Sequence, residues 1–236
     1  MGGDHSPPAP KPQPTPPVYN SSPTFKHFVP FGRLAMRFFV AIMAPRLRVT
    51  GRHRIPRRGA VIIAPNHLSN ADPPLLFHSM PRAMWYMAKR ELFEMPVVAP
   101  VIRFLQTFPV EQEGIDRAAI QYAEQLLRHG QGLVIFPEGK CSINGELGPV
   151  LPGATLLALR TGVPIIPVGI YGTERIVPYA EMVPRPTLAP VRVHFGAPLN
   201  FINLSHLPRR EQREAATEQL ERALREVVAV VQPRVK

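Results

Sequence analysis

Short apolar runs alternate with stretches of helical periodicity along most of this chain, and that alternation limits the folds open to it. The run Ala60-Val61-Ile62-Ile63-Ala64 has no polar position, so a strand there must be covered on both faces. Further strand-like runs fall at 83–88, 107–110, 132–136, 164–170 and 191–195. Between them, 97–105 and 154–160 read as helices, the second stopped by Gly162. Ile115, Ala118, Ala119, Tyr122, Ala123 and Leu126 share one helical face, closed by Gly130. Leu220, Ala223, Leu224, Val227, Val228 and Val231 share another. Strands separated by helices predict an α/β fold: a single domain with a mixed, mostly parallel central sheet flanked by helices. In such sheets, ligands bind beyond the carboxyl ends of the strands. The run at 163–169 carries Pro164 and Pro167. Proline has no N–H for a ladder, so an edge position or a bulge is expected there.

Ahead of this domain, at 47–236, two other segments stand out. Residues 1–23 are rich in Pro, Ser and Thr, and nine of the 30 prolines fall in the first 30 residues. A disordered tail is expected. Residues 24–46 predict an amphipathic membrane-interface helix, with Phe31, Leu34, Ala35, Phe38, Phe39 and Ile42 on one face and Arg33 and Arg37 on another. The periodic stretch is about 14 residues, too short at ~1.5 Å per residue to cross a ~30 Å hydrocarbon core. A helix packed on the core would show the same pattern. No run of uncharged apolar residues is long enough to span a bilayer, and residues 1–17 lack the apolar core of a signal peptide. One cysteine, Cys141, rules out an internal disulfide. The net charge of +11 points to an anionic partner: nucleic acid, an anionic bilayer or a phosphate-rich substrate. No helix-turn-helix, zinc or aromatic RNA-binding signature accompanies it, which argues against nucleic acid.

Three segments carry residues able to do chemistry. Asn66-His67-Leu68-Ser69-Asn70-Ala71-Asp72 follows the 60–64 strand directly. A turn there can fold the Asp72 carboxylate onto one imidazole nitrogen and leave the other free to take a proton from a hydroxyl. A loop histidine capped by an aspartate fits the same spacing. Phe136-Pro137-Glu138-Gly139-Lys140-Cys141-Ser142 follows another strand, with a glycine suited to a sharp turn. Val163-Pro164-Ile165-Ile166-Pro167-Val168 is the third. The eight histidines include no His-Glu-x-x-His spacing, so no metal site is expected. Cys141 has no His and Asn or Asp at a recognisable partner spacing, so a thiol nucleophile is not expected.

In order and spacing the three segments resemble the blocks of the glycerolipid acyltransferase family, 1-acylglycerol-3-phosphate O-acyltransferases among them. Asn66, His67 and Asp72 match its Asn-His-x4-Asp block. Phe136, Pro137, Glu138, Gly139 and Ser142 match Phe-Pro-Glu-Gly-x-Arg-Ser, and 163–168 match Val-Pro-Ile-x-Pro-Val. The resemblance implies an acyltransferase domain in which His67 deprotonates an acceptor hydroxyl and Asp72 holds His67. The alkoxide then attacks an acyl-CoA or acyl carrier protein thioester, a co-substrate rather than a cofactor. It also implies an oxyanion met by backbone N–H groups or nearby cations, and acceptor binding by Asn66, Glu138, Gly139, Ser142 and Pro167, with Lys140 and Arg117 as the nearest replacements for two arginines of the family's blocks. The acceptor so implied is 1-acylglycerol-3-phosphate, giving phosphatidic acid at the cytoplasmic face of a membrane; the oligomeric state stays open. Two departures bear on that acceptor. Gln112 and Cys141 stand where the family's blocks carry arginines that grip phosphate. Neither side chain can match a guanidinium's bidentate grip. A lipid acceptor without a phosphate monoester, or a lipid-binding protein with little turnover, is the alternative.

Overall fold

A computed structural model describes residues 23–111 and 116–233, with side chains from residue 32 onward. In chain order the elements are α1 (Pro23–Met43), β1 (Leu47–Thr50), β2 (Val61–Pro65), α2 (Asp72–Ser79), β3 (Trp85–Lys89), α3 (Val98–Phe104) and β4 (Thr107–Val110). Then come α4 (Arg117–Arg128), β5 (Gly132–Val134), α5 (Gly153–Thr161), β6 (Ile165–Tyr171), β7 (Val191–Phe195) and α6 (Arg209–Val231). The seven strands form one sheet in the order β1-β7-β6-β2-β5-β3-β4. Every pairing is parallel except β6 with β7. The expected mostly parallel sheet between helices is what the chain builds.

β2 is bonded on both edges, to β6 and to β5. Its five residues are all buried. Val61 and Ile63 enter one core with α1 and α2 residues such as Val40, Leu75 and Leu76. Ile62 and Ala64 enter the opposite core with Ala123, Leu157 and Leu224 of α4, α5 and α6. Two covered faces explain why the strand shows no polar alternation.

Pro167 does not lie on an edge: β6 sits between β7 and β2. The carbonyls of Pro164 and Val168 accept the N–H groups of Ile62 and Asn66, so Pro167 turns its missing donor toward β7. At that level β7 has ended, and Gly196 N–H donates to the Pro167 carbonyl at 2.8 Å. Val168 pairs with Phe195 but Ile165 with Leu199, three steps on one side facing four on the other. That is a bulge, the other outcome a proline allows in a sheet.

Three departures from the sequence reading are physical. β1 carries no marked apolar run; its four residues alternate half-buried and exposed at the sheet edge. α1 has 21 residues rather than about 14. At ~1.5 Å per residue it is about 31 Å long, so length does not keep it from spanning a bilayer. Lys26, Arg33 and Arg37 do bear on that, and no helix among the described residues is long and apolar enough to cross. Its apolar residues also form two rows rather than one. Met36, Phe39, Val40 and Met43 pack on the core. Leu34, Phe38 and Ile42 are 50%, 63% and 60% exposed. The Phe31 side chain, residues 1–22, and Gln112 to Ile115 lie outside the described residues.

Candidate active site

β2 and β5 are sheet neighbours, and their pairing continues one step past β5, where Ile135 N–H donates to Ile63 O at 2.9 Å. Their carboxyl-end loops therefore emerge side by side. The first carries His67 and leads into α2; the second carries Glu138 to Ser142. Chain segments some seventy residues apart are brought to one place by strand order alone.

The two loops are stitched through the peptide of His67. Its N–H donates to Glu138 Oε1 at 2.7 Å, and its carbonyl accepts Ser142 N–H at 2.7 Å. Glu138 Oε2 accepts Gly148 N–H at 2.7 Å. Burial pushes the Glu138 carboxyl above the usual carboxylate range, against the pull of those two backbone donors. The turn after Glu138 passes through Gly139 at φ 69°, a left-handed conformation that suits glycine.

Asp72 opens α2 and is fully buried. Its Oδ2 accepts three N–H groups: His67 Nδ1 at 2.8 Å, Leu68 N at 2.7 Å and Ser69 N at 2.9 Å. A carboxylate in the first turn of a helix is also favoured by the helix dipole. The His67 ring, with its side chain 15% exposed, stacks on Phe136 at 3.9 Å between centroids. With Nδ1–H committed to Asp72, Nε2 is the basic nitrogen. It lies 3.3 Å from Cys141 Sγ, within hydrogen-bonding reach. Burial pulls the imidazolium down in pKa. Asp72 and then Cys141 outweigh it, and His67 is held up at about 9.

The other residues singled out in the sequence are placed differently from one another. Asn66 is buried, and its side chain acts as a strand substitute: Oδ1 accepts Ile170 N–H at 2.7 Å and Nδ2 donates to Ile170 O at 3.1 Å. Both ends of the amide are occupied by backbone, so Asn66 holds the loop rather than a ligand. Glu138 likewise gives both oxygens to backbone donors and holds the loop. Pro167 is buried within the sheet and presents no surface to a ligand. Ser142 bonds Asn144 Oδ1 at 3.1 Å, on the exposed side of the loop. Lys140 is exposed beside Cys141. Arg117 is the exposed first residue of α4, whose cap is Asp116. Gln112 falls outside the described residues. Among the described residues, no group of three or more His, Cys, Asp or Glu is gathered for a metal ion.

A family model described as Acyltransferase matches residues 46–171, more than half of the chain and the whole of this constellation. The chain belongs to the acyltransferase family. Among acyltransferases it is similar to the 1-acyl-sn-glycerol-3-phosphate acyltransferase of Bacillus subtilis, 26% identical over 182 residues, which cover 77% of this chain and 87% of the relative. It is 28% identical over 144 residues to the enzyme of that description from Borreliella burgdorferi, covering 60% of this chain. That match spans 58% of the Borreliella acyltransferase's own length. The crystal structure of the 1-acyl-sn-glycerophosphate acyltransferase PlsC from Thermotoga maritima superposes with a TM-score of 0.67 at 26% identity, covering 90% of this chain and 81% of that one.

The sequence alone did not bring two contacts of this acyltransferase site into view. Phe136 had a signal, since it heads the Phe-Pro-Glu-Gly segment, but its stacking on His67 depends on two loops meeting. Cys141 had none: 74 positions separate it from His67. Spacing along the chain does not reveal such a pair.

Proposed function

We propose that this protein is an O-acyltransferase of phospholipid biosynthesis. It moves a fatty acyl group from an acyl thioester to the free hydroxyl of 1-acylglycerol-3-phosphate, giving phosphatidic acid. The observation that carries this reading is the His67 ring: Nδ1 fixed by a fully buried carboxylate and Nε2 directed away from it. Such a ring can take the proton of a hydroxyl as that hydroxyl attacks. The alkoxide adds to the thioester carbonyl, and the tetrahedral intermediate expels the thiolate. The His67 imidazolium returns the proton to that sulfur, so no co-reactant is needed. Acyl-CoA and acyl carrier protein both supply the required thioester.

We infer that the reaction runs at a membrane surface, on its cytoplasmic face. Support comes from the outward row of Leu34, Phe38 and Ile42 on α1, with Arg37 exposed on the same helix, and from the net charge of +11. An apolar row flanked by basic residues suits the boundary between headgroups and acyl chains of an anionic bilayer.

The test is release of free thiol from palmitoyl-CoA in the presence of lysophosphatidate vesicles. Wild type should turn over, and His67→Ala should lose on the order of 10²–10⁴-fold, the range for general acid–base catalysis. Equal activity of the two would sink the mechanism.

A second acceptor class has one observation in its favour. The Cys141 thiol occupies the position at Nε2 near which the family pattern leads one to expect a phosphate-holding arginine. A thiol cannot hold a phosphate monoester. On this reading the acceptor is a lysolipid with a headgroup or another lipid alcohol, and Gln112→Arg raises turnover of lysophosphatidate over wild type. A panel of lysolipids assayed side by side decides between the two.

A further inference from the structure

We propose that the loop between β6 and β7 is a second bilayer contact, which seats the mouth of the active site in anionic phospholipid. This rests on the reading above that the acceptor is a membrane lipid, and it names the part of the molecule that meets the membrane at the site itself.

Strand directions decide where that loop lies. β2, β3, β5 and β6 run parallel, so the loops that follow them emerge at one end of the sheet, the end that holds His67. β7 runs against β6, so its entry is at that end too. Among the described residues, four of the five most exposed large apolar side chains are there. Val97 follows β3, Ile143 follows β5, and Val183 and Leu188 lie between β6 and β7, all 69–81% exposed. The fifth, Ile202, follows β7 at the opposite end. Tyr179 and Met182 add exposed apolar surface to the β6–β7 loop. Single exposed apolar residues are ordinary, but a group of them around one site marks a contact with something other than water.

The loop spends its polar groups on its own chain. Ser69 Oγ donates to the Val177 carbonyl at 2.7 Å, and Asn70 Nδ2 to the Glu181 carbonyl at 3.4 Å. Arg185 N–H donates to the Ile176 carbonyl at 2.8 Å, and the Arg185 guanidinium pairs with Glu181. Anchors turned inward and apolar side chains turned outward are the reverse of a loop built for solvent. The bonds to Ser69 and Asn70 also fasten the loop to the segment that carries His67 and Asp72. Both use loop carbonyls, so exchanging Val183 or Leu188 leaves them in place.

Two observations select a bilayer as the partner. Thr187 N–H donates to the Met43 carbonyl at 2.9 Å, which joins the loop to the end of α1 beside Ile42, the last residue of its outward row. Arg46 and Lys140 are exposed at this same end, and neither has an ion pair among the described residues. Unpaired cations beside apolar side chains complement anionic headgroups above acyl chains. A lysolipid could then reach His67 from the bilayer with its acyl chain still among its neighbours.

The test uses the full chain with vesicles of equal parts phosphatidylglycerol and phosphatidylcholine brominated on its acyl chains. Bromine quenches tryptophan fluorescence on contact, and the native Trp85 is buried. A tryptophan placed by Val183→Trp should be quenched, and one placed by Ile202→Trp should not. Equal quenching of the two, or none for Val183→Trp in protein that floats with the vesicles, would overturn the proposal. In activity, Val183→Ser combined with Leu188→Ser should raise the vesicle lipid needed for half-maximal turnover of lysophosphatidate, by on the order of tenfold per side chain withdrawn. With a short-chain lysophosphatidate dissolved as monomers, the double variant should match wild type. No loss on vesicles, or the same loss on both acceptors, would also overturn it. Absence of CoA release by wild type with every acceptor would overturn the proposed function instead, and the quenching result would still decide the bilayer contact.

Discussion

At the scale of single residues, the charge state of His67 sets two opposing trends with pH. A base must be neutral to act, and this ring is held up at about 9. Between neutrality and pH 9, kcat/KM should therefore climb roughly tenfold per pH unit and level off above it. Stability runs the other way. A histidine whose folded value lies above the ordinary 6.5 contributes stability in full below 6.5, and that contribution is lost as pH rises toward about 9. Urea midpoints at pH 6 and pH 9, set beside the rate profile, check both signs. Cys141 is one of the groups that raise His67, so in any Cys141→Ala protein with residual activity the rising limb should move to lower pH. Glu138 makes a different prediction. In Glu138→Gln an amide NH2 replaces one oxygen and faces a backbone donor, so the loss should be about 1–3 kcal/mol, the usual penalty for a buried donor left without an acceptor. Because both Glu138 oxygens are taken by loop backbone, kcat should fall more than KM changes, as read from steady-state kinetics.

At the scale of elements, what could be read ahead depended on how local each signal was. The His67–Asp72 pair spans five positions in one loop, and β2 carries an unbroken apolar run; both were legible. The backbone partners of Asn66 and Glu138 were not. An amide or a carboxylate near a loop histidine looks the same in sequence whether it meets a ligand or backbone. Asn66 turned to Ile170 on β6, and Glu138 to the His67 peptide in the loop after β2. β1 escaped notice because an edge strand of four residues needs little apolar sequence. In α1, periodicity marked a helix but not which side faced the core. The structure separates the rows, and this yields a prediction. Replacing Leu34, Phe38 and Ile42 together by serine should leave the thermal midpoint nearly unchanged, since exposed substitutions typically move stability by within about 0.5 kcal/mol each. Flotation with liposomes should fall sharply. An unchanged flotation would remove α1 from the proposed membrane surface.

At the scale of the whole molecule, charge adds to that apolar row. With a net +11, association with anionic vesicles should weaken as salt is raised from about 0.01 M to about 1 M, over which the screening length contracts from roughly 30 Å to 3 Å. Association with neutral vesicles should hardly respond. Sedimentation at several ionic strengths separates the two contributions.

The edge strand β1, which joins α1 to the sheet, has β7 as its neighbour, and Thr50 meets His194 across 144 positions. On a ribosome moving at roughly 5–20 residues per second, about 7–30 s separate the emergence of those two segments. For that interval α1 has its short tether but not the strand that seats the tether. A newly made chain therefore goes through a stage in which α2 already offers its apolar face to the inner row of α1 while β1 still waits for β7.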